Sequence, residues 1–323
     1  MDPTPDFIQN SLAEHANSPS YPLTAGTPQL REVIKEWAVK NLGATGEFDV
    51  LPLIGSKEFV AWLPTFLQSK SVIIPKVAYP TYNVGAILAG AQAIAVDIDT
   101  QQWPQADLAW INSPSNPTGR VHTEDELKSA IEYSRKNNTP VVSDECYLEF
   151  GDSVKPTSIL NYTQGNNSNI LAVLSLSKRS SMAGYRAAFV VGDPVLIKKI
   201  LEIRKHAGMM VPLPIQHAMI VALGDIKHVS EQRARYNARR KTLSPALESI
   251  GFKIQYSEAG LYIWCTRGED AWKSVEALAK LGILVTPGIF YGADGSQHVR
   301  IAMTATDAAI ADAATRITTS KAE

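Results

Sequence analysis

Short apolar runs punctuate the first two thirds of the chain, at 50–54, 71–74, 93–98, 108–112, 140–143, 170–174 and 187–191. Each reads as a buried strand, and helical spacing fills most of the gaps between them. Leu30, Val33, Ile34, Trp37 and Ala38 mark an amphipathic helix ahead of the first run. Helices are predicted over 56–67, over about 82–88, and behind the capping box Thr123-Glu124-Asp125-Glu126, where Leu127, Ala130 and Ile131 share one face. Alternating strands and helices from about 50 to 193 predict a mainly parallel sheet covered on both faces. A basic helix at 194–208 (Lys198, Lys199, Arg204, Lys205) ends before a proline-rich break at 211–214. A helix at 215–223 and a long one at 226–250 follow. The arginines of the long helix, Arg233, Arg235, Arg239 and Arg240, together with Lys241, read as a solvated face. After Gly251 the pattern becomes strands (252–256, 261–266, 284–286, 299–302) around a helix at 271–281, with a last helix from about 307. The fold class is therefore α/β, with a second, smaller α+β unit. The expected segments are 1–47 at the N-terminus, 48–205 for the large unit and 206–323 for the small one.

Composition removes several classes of function. The 323 residues carry a net charge of −1, with 45% hydrophobic and 20% charged residues. This is ordinary globular composition, with no overall basic bias toward nucleic acid or anionic membrane. Cys146 and Cys265 form no C-x-x-C pair, and the six histidines show no metal-ligand spacing. No apolar stretch is long enough to span a bilayer, and the N-terminus does not read as a signal peptide; the expected location is cytoplasmic. No G-x-G-x-x-G follows a strand and no P-loop occurs, which disfavours a nicotinamide dehydrogenase.

Chemistry concentrates where strands end. In open parallel sheets ligands bind beyond the carboxyl ends of the strands. Gly55-Ser56-Lys57 follows one strand and opens a helix, which is either an ordinary capped start with Ser56 near the N-cap or an anion site. Tyr79 follows the next strand and either packs or stacks on a flat ring. Asn116 lies in the rigid turn Ser113-Pro114-Ser115-Asn116-Pro117-Thr118-Gly119. Asp144, a helix cap or a charge aimed into a cleft, precedes Tyr147 by three residues. Ser175-Leu176-Ser177-Lys178 ends a further strand, and Arg186 follows. Hydroxyls and a guanidinium near one lysine amine suit a phosphate beside a Schiff-base lysine, which suggests pyridoxal phosphate (PLP). A surface loop with a solvated Lys-Arg pair is the plainer reading of that stretch. Arg300 stands alone in the apolar strand His298-Val299-Arg300-Ile301 and needs an anionic partner, either a structural carboxylate or that of a substrate.

Taken in order, Asn116-Pro117-Thr118-Gly119, Asp144-x-x-Tyr147, Ser175-x-Ser177-Lys178 and Arg186 resemble the fold-type I PLP-dependent aminotransferases, over almost the whole chain from Tyr21 onward. The stretches YPLTAGTPQLR, GSKEFVAWLPTF, AYPTYNVGA, SDECYLEF and SLSKRSSMAGYRAAFVVGD look like the actinobacterial succinyldiaminopimelate aminotransferases. The resemblance implies the PLP-transferase fold with a seven-stranded type of sheet. It implies that Lys178 carries the cofactor and moves the proton, and that Asp144 pairs with the pyridine nitrogen. Asn116 and Tyr147 would bond the ring's phenolic oxygen, and Tyr79 would stack on the ring. Gly55, Ser56, Lys57, Ser175 and Arg186 would hold the phosphate, and Arg300, with Asn116, the substrate α-carboxylate. Tyr21 would reach the phosphate of a neighbouring subunit's cofactor, which implies a homodimer. No residue stands out for a distal carboxylate.

The implied reaction moves the amino group of glutamate to a keto acid, N-succinyl-2-amino-6-oxopimelate if the narrower resemblance holds. Related chains carry a few dozen residues before Asp2-Pro3-Thr4-Pro5, including an arm that crosses to the partner and a glycine near the substrate carboxylate. The chain as given starts without them, so a shortened arm is expected. The alternatives are a transaminase for another amino acid, a carbon–sulfur β-lyase on the same scaffold, or a non-catalytic PLP-binding protein.

Overall fold

The computed structural model describes residues 2–320; residues 1 and 321–323, at the outer ends of the expected first and last segments, lie outside it. Helices α1 (Asp6–Glu14) and α2 (Pro28–Leu42) lead into β1 (Asp49–Ile54) and α3 (Ser56–Leu67). Then come β2 (Ser71–Pro75), α4 (Thr81–Leu88), β3 (Gln92–Val96), β4 (Leu108–Asn112), α5 (Glu124–Asn137) and β5 (Val141–Asp144). Next are β6 (Ile170–Ser175), the single turn α6 (Leu176–Arg179), β7 (Ala187–Gly192), α7 (Pro194–His206), α8 (Leu213–Gly224) and α9 (Lys227–Ser249). The remainder holds β8 (Lys253–Ile254), β9 (Tyr262–Thr266), α10 (Ala271–Lys280), β10 (Thr286–Pro287), β11 (His298–Ala302) and α11 (Asp307–Thr319). The predicted capping box forms at Thr123 and Glu126 and starts α5.

The large sheet runs β1-β7-β6-β5-β4-β2-β3. Its β2, β3, β4, β5 and β6 pair in parallel, while β7 is antiparallel to both β1 and β6. Strands β4 to β7 are buried along most or all of their length, which explains their unbroken apolar sequences. The smaller sheet, β10-β11-β9-β8, is antiparallel throughout.

Packing corrects two expectations. The boundary at 206 falls one helix early. Ala218, Met219 and Ala222 of α8 are buried with Trp37 of α2 and Phe189 of β7, in the core of the large sheet. The small core begins on α9, whose Tyr236, Leu243 and Leu247 pack with Ile263 and Val299. The basic face of α9 is also not uniformly solvated. Arg239 is buried and pairs with Asp2 and Asp307, and buried Arg240 pairs with Asp152 and donates to the Gly260 carbonyl. On α7, buried Arg204 pairs with Glu58. These helices are covered on one side, so their inward arginines require buried acceptors.

Glu145, next to the end of β5, gives a test of this interior. Its Oε1 accepts from the Ile159 backbone N–H at 2.9 Å, while Oε2 is buried without a partner. Burial raises its pKa from 4.5 to about 7. Between those values the folded chain binds more protons here than the unfolded chain, so stability falls as pH rises across the window, by roughly 3 kcal/mol at most. Glu145→Gln keeps the acceptor and removes the charge. It is expected to raise the thermal unfolding midpoint above pH 7 and to leave it little changed below pH 4.5; an equal effect at both ends would exclude this origin.

Candidate active site

The site forms where strand ends from both halves of the large sheet meet. Register sets Asn112 of β4 beside Asp144 of β5, and Asp144 beside Val173 of β6. Because β7 runs backwards, its first residue, Ala187, pairs with Ile54 at the end of β1, while Ala188 pairs with Ser175 at the end of β6. Arg186 therefore arrives at the same edge as Gly55 and Ser175, although it precedes its strand instead of following it.

A cavity of about 250 Å³ opens at this edge. Its wall includes Ser56, Lys57, Tyr79, Asn116, Asp144, Tyr147, Ser175, Lys178, Arg186 and Arg300. Gly55 is not on the wall but precedes Ser56 and lies against the Arg186 guanidinium. The residues expected from sequence thus converge, with the exception of Tyr21, which is 93% exposed and outside the cavity. A separate cleft of about 380 Å³, on the far side of the Asn116 turn, is lined by Trp110, Trp264 and His298 and holds none of the expected groups.

One corner of the cavity is built for an anion. Helix α3 begins at Ser56, with Gly55 as its N-cap at φ 75° and no side-chain cap, so Ser56 is not the capping residue. The first N–H groups of α3 are free at the positive end of its dipole. A Cβ at Gly55 would lie 2.1 Å from Nη2 of Arg186, so only glycine lets the guanidinium reach this helix start. Arg186, itself in the left-handed region at φ 56°, spends one N–H on the Ala183 carbonyl. Ser175 caps α6 by accepting from the Ser177 N–H at 3.2 Å. The Ser56 hydroxyl accepts from the Cys146 thiol at 3.3 Å.

Asp144 occupies the floor. No helix follows it, so it is not a helix cap. Its Oδ2 accepts from the Tyr82 hydroxyl at 2.8 Å and its Oδ1 from the Cys146 N–H at 3.2 Å. Burial raises its pKa, and these hydrogen bonds oppose the rise. Burial also holds Tyr82, Cys146 and Tyr147 neutral, with pKa values well above normal; the nearby carboxylate adds to this for Tyr82 and Cys146, and contact with Tyr262 adds to it for Tyr147.

The small sheet forms the roof. Arg300 of β11 and Tyr262 of β9 share the face turned toward the large sheet. The Arg300 guanidinium lies 4.0 Å from the Tyr262 ring centre and 5.1 Å from that of Tyr291, and it donates to Asn116 Oδ1 at 2.8 Å. Its buried Nε has no partner, and it pairs with no carboxylate among the described residues. The structural ion pair is thus set aside. The Tyr147 and Tyr262 hydroxyls are 3.1 Å apart.

Three contributors were not singled out from sequence. Tyr82 falls at the start of the helix predicted over about 82–88, and Tyr262 within the strand predicted over 261–266. Cys146 was noted only as an unpaired cysteine. Each does its work through a contact between distant segments, for which local spacing offers no signal.

This donor set fits PLP. It combines an anion corner of helix N–H groups and Arg186, a lysine amine, a buried carboxylate free of protein cations, a ring-sized aromatic at Tyr79, and an arginine awaiting a carboxylate. Among the described residues no cluster suits a metal ion, and no helix is long and apolar enough to cross a membrane.

Comparison with known proteins agrees. The family model described as aminotransferase class I and II matches residues 3–317. A probable aminotransferase of Mycobacterium tuberculosis is 51% identical over 98% of this chain and 78% of its own length. The 4-dedimethylamino-4-oxo-anhydrotetracycline transaminase of Streptomyces rimosus is 48% identical over 98% of this chain and 90% of its own length. The structure of a probable N-succinyldiaminopimelate aminotransferase from Thermus thermophilus superposes with a TM-score of 0.90 at 25% identity, covering 98% of this chain and 92% of that one. The chain therefore belongs to the class I and II aminotransferases, the PLP-dependent enzymes that exchange amino groups between small amino and keto acids.

Proposed function

We propose that the cavity below Arg300 binds PLP and that the enzyme transfers the amino group of glutamate to N-succinyl-2-amino-6-oxopimelate. The observation that carries the cofactor reading is the convergence of Lys178, Asp144 and the Arg186–Ser56 corner on one cavity roofed by Arg300. Bound PLP supplies an electron sink for the bond broken at the substrate Cα. The chain supplies the rest. The α3 N-terminus, Arg186 and Ser175 anchor the phosphate. Asp144 accepts the ring N–H, and Tyr79 covers the ring face. Asn116 and Tyr147 hydrogen-bond the phenolic oxygen. The Lys178 amine holds the cofactor and then moves a proton at Cα. Arg300, bonded to Asn116 Oδ1, takes the α-carboxylate in a two-pronged pair.

Two observations support a substrate with a distal carboxylate. Lys57 Nζ stands 5.8 Å from the Tyr79 ring centre, a further cation on the cavity wall with no carboxylate partner among the described residues. The Thermus thermophilus relative is described as a probable N-succinyldiaminopimelate aminotransferase. The Streptomyces rimosus relative favours a second reading, a cyclic ketone acceptor of the anhydrotetracycline kind. Tyr21, exposed on its loop, suits a role toward the cofactor of a partner subunit in a homodimer.

The deciding experiment supplies N-succinyl-LL-diaminopimelate and 2-oxoglutarate to the PLP-loaded enzyme and measures glutamate formed. This donor is expected to exceed common amino acids by at least about tenfold in kcat/KM, a difference of roughly 1.4 kcal/mol in transition-state binding. Turnover of other donors alone would overturn the substrate. Lys178→Ala is expected to lower kcat by about 10²-fold to 10⁴-fold or more, with loss of the lysine-linked visible absorbance. Normal turnover would remove Lys178 from the role. Arg300→Ala is expected to raise KM for the amino donor by roughly 10–100-fold, the worth of a hydrogen-bonded charged pair, with PLP retained; release of PLP would place Arg300 elsewhere.

A further inference from the structure

We propose that Tyr82 is a positioning residue for the cofactor's ring nitrogen: by donating to Asp144 Oδ2 it keeps that carboxylate an acceptor, so the shared proton stays on the ring. This rests on the reading of Asp144 given above.

The geometry is tightly determined. Tyr82 lies on the first turn of α4 and is fully buried. Its ring stacks on Trp110 of β4 at 5.2 Å and 19°, and meets Tyr79 edge to face at 5.7 Å and 85°. Helix α4 is seated directly on α3. A Cβ on Gly85, one turn beyond Tyr82, would lie 2.7 Å from the Val60 carbonyl oxygen, so the two helices approach at a distance that glycine permits. The Tyr82 hydroxyl is thereby delivered to a single acceptor.

Asp144 has few other supports. The other contacts to its carboxylate come from Cys146, through its N–H at 3.2 Å and its thiol, and among the described residues no Lys, Arg or His nitrogen pairs with it. A buried carboxylate with little support binds a proton more readily, because burial penalises its charge. Each donor resists this. If the Tyr82 donor is lost, the proton shared between ring nitrogen and carboxylate moves toward oxygen, and the ring withdraws electrons less strongly. Tyr82 does not compete as an acid, since burial and the neighbouring carboxylate hold it protonated. Its single O–H therefore faces Asp144 in the folded enzyme. The same packing joins the two aromatics of the Tyr79-Pro80-Thr81-Tyr82 turn into one unit: Tyr79 lines the cavity where the ring would lie, and Tyr82 supports the carboxylate beneath it.

The test loads the full chain with PLP labelled with ¹⁵N at the ring nitrogen and reads its NMR shift at neutral pH, where protonated and unprotonated nitrogens differ widely. Wild type is expected at the protonated position and Asp144→Ala at the unprotonated one. Tyr82→Phe, which retains the stacked ring, is expected to move the signal from the first toward the second and to lower kcat/KM by up to about 10–100-fold, the span of one hydrogen bond to a charged group. Replacing Tyr82 with 3-fluorotyrosine, a stronger donor of nearly the same shape, is expected to move the signal the other way and keeps the test open if the phenylalanine variant folds poorly. An unchanged signal in both Tyr82 variants, with Asp144→Ala shifted, overturns the role of Tyr82 alone. A wild-type signal that is already unprotonated, and unmoved in Asp144→Ala, overturns the reading of Asp144 and this inference with it.

Discussion

A carboxylate buried at the inner end of β5, without a protein cation, sets the terms for the rest of the site. Burying such a charge is costly unless hydrogen bonds and an opposite charge compensate. The chain provides Asp144 with a tyrosine O–H and with the N–H and thiol of Cys146, and no basic side chain among the described residues. In the proposed reading the remaining compensation comes from a cationic ligand, and a protonated pyridine ring would supply it. Everything around Asp144 is then constrained by the length of that ring. A covalent anchor has to sit at one end and an anion corner at another, and Lys178 and Arg186 lie on the wall of the same cavity.

The reversed strand β7 is what makes this arrangement compact. In a purely parallel sheet every residue at this edge follows its strand. Here Arg186 precedes β7, and the antiparallel pairing places it between the end of β1 and the end of β6. Gly55 leaves the space that the guanidinium enters. An arginine and a helix start, 131 positions apart by number (186 less 55), thus form one phosphate-sized corner. The same packing logic explains the buried arginines elsewhere. Arg179 pairs with Glu149, and Arg204 with Glu58, both on segments next to the site.

Most of this edge was legible in the sequence because it is made of local signals. An apolar run followed by a glycine, a proline-bracketed asparagine or a strand-terminal aspartate can be located from neighbouring residues alone. The antiparallel sense of β7 carries no such mark, and neither does Tyr82, whose role depends on α4 resting on α3. Arg239 and Arg240 were misread for the same reason. Their spacing on α9 is that of a solvated face, and only the arrival of Asp2, Asp307 and Asp152 from distant parts of the chain shows that the face is covered. The boundary at 206 failed because α8 has an apolar sequence that suits either core, and its contacts with α1 and α2 assign it to the large one.

The roof shows why the class of reaction is easier to read than the substrate. Arg300 is fixed before any ligand arrives, held between two tyrosine rings and bonded to Asn116. That bond joins the small sheet to the turn at the end of β4, so the group proposed to recognise the α-carboxylate also ties the two halves of the molecule together. A preorganised guanidinium loses little freedom when it binds, and in the proposed role it would bind the feature common to every amino acid. It therefore supports transamination in general and discriminates little among donors. Discrimination has to come from groups that meet the distal part of the substrate. On the described wall the free cation able to do so is Lys57, whose backbone faces the phosphate corner while its amine reaches over Tyr79. In the proposed arrangement one residue between cofactor and substrate would couple the choice of substrate to the seating of the ring.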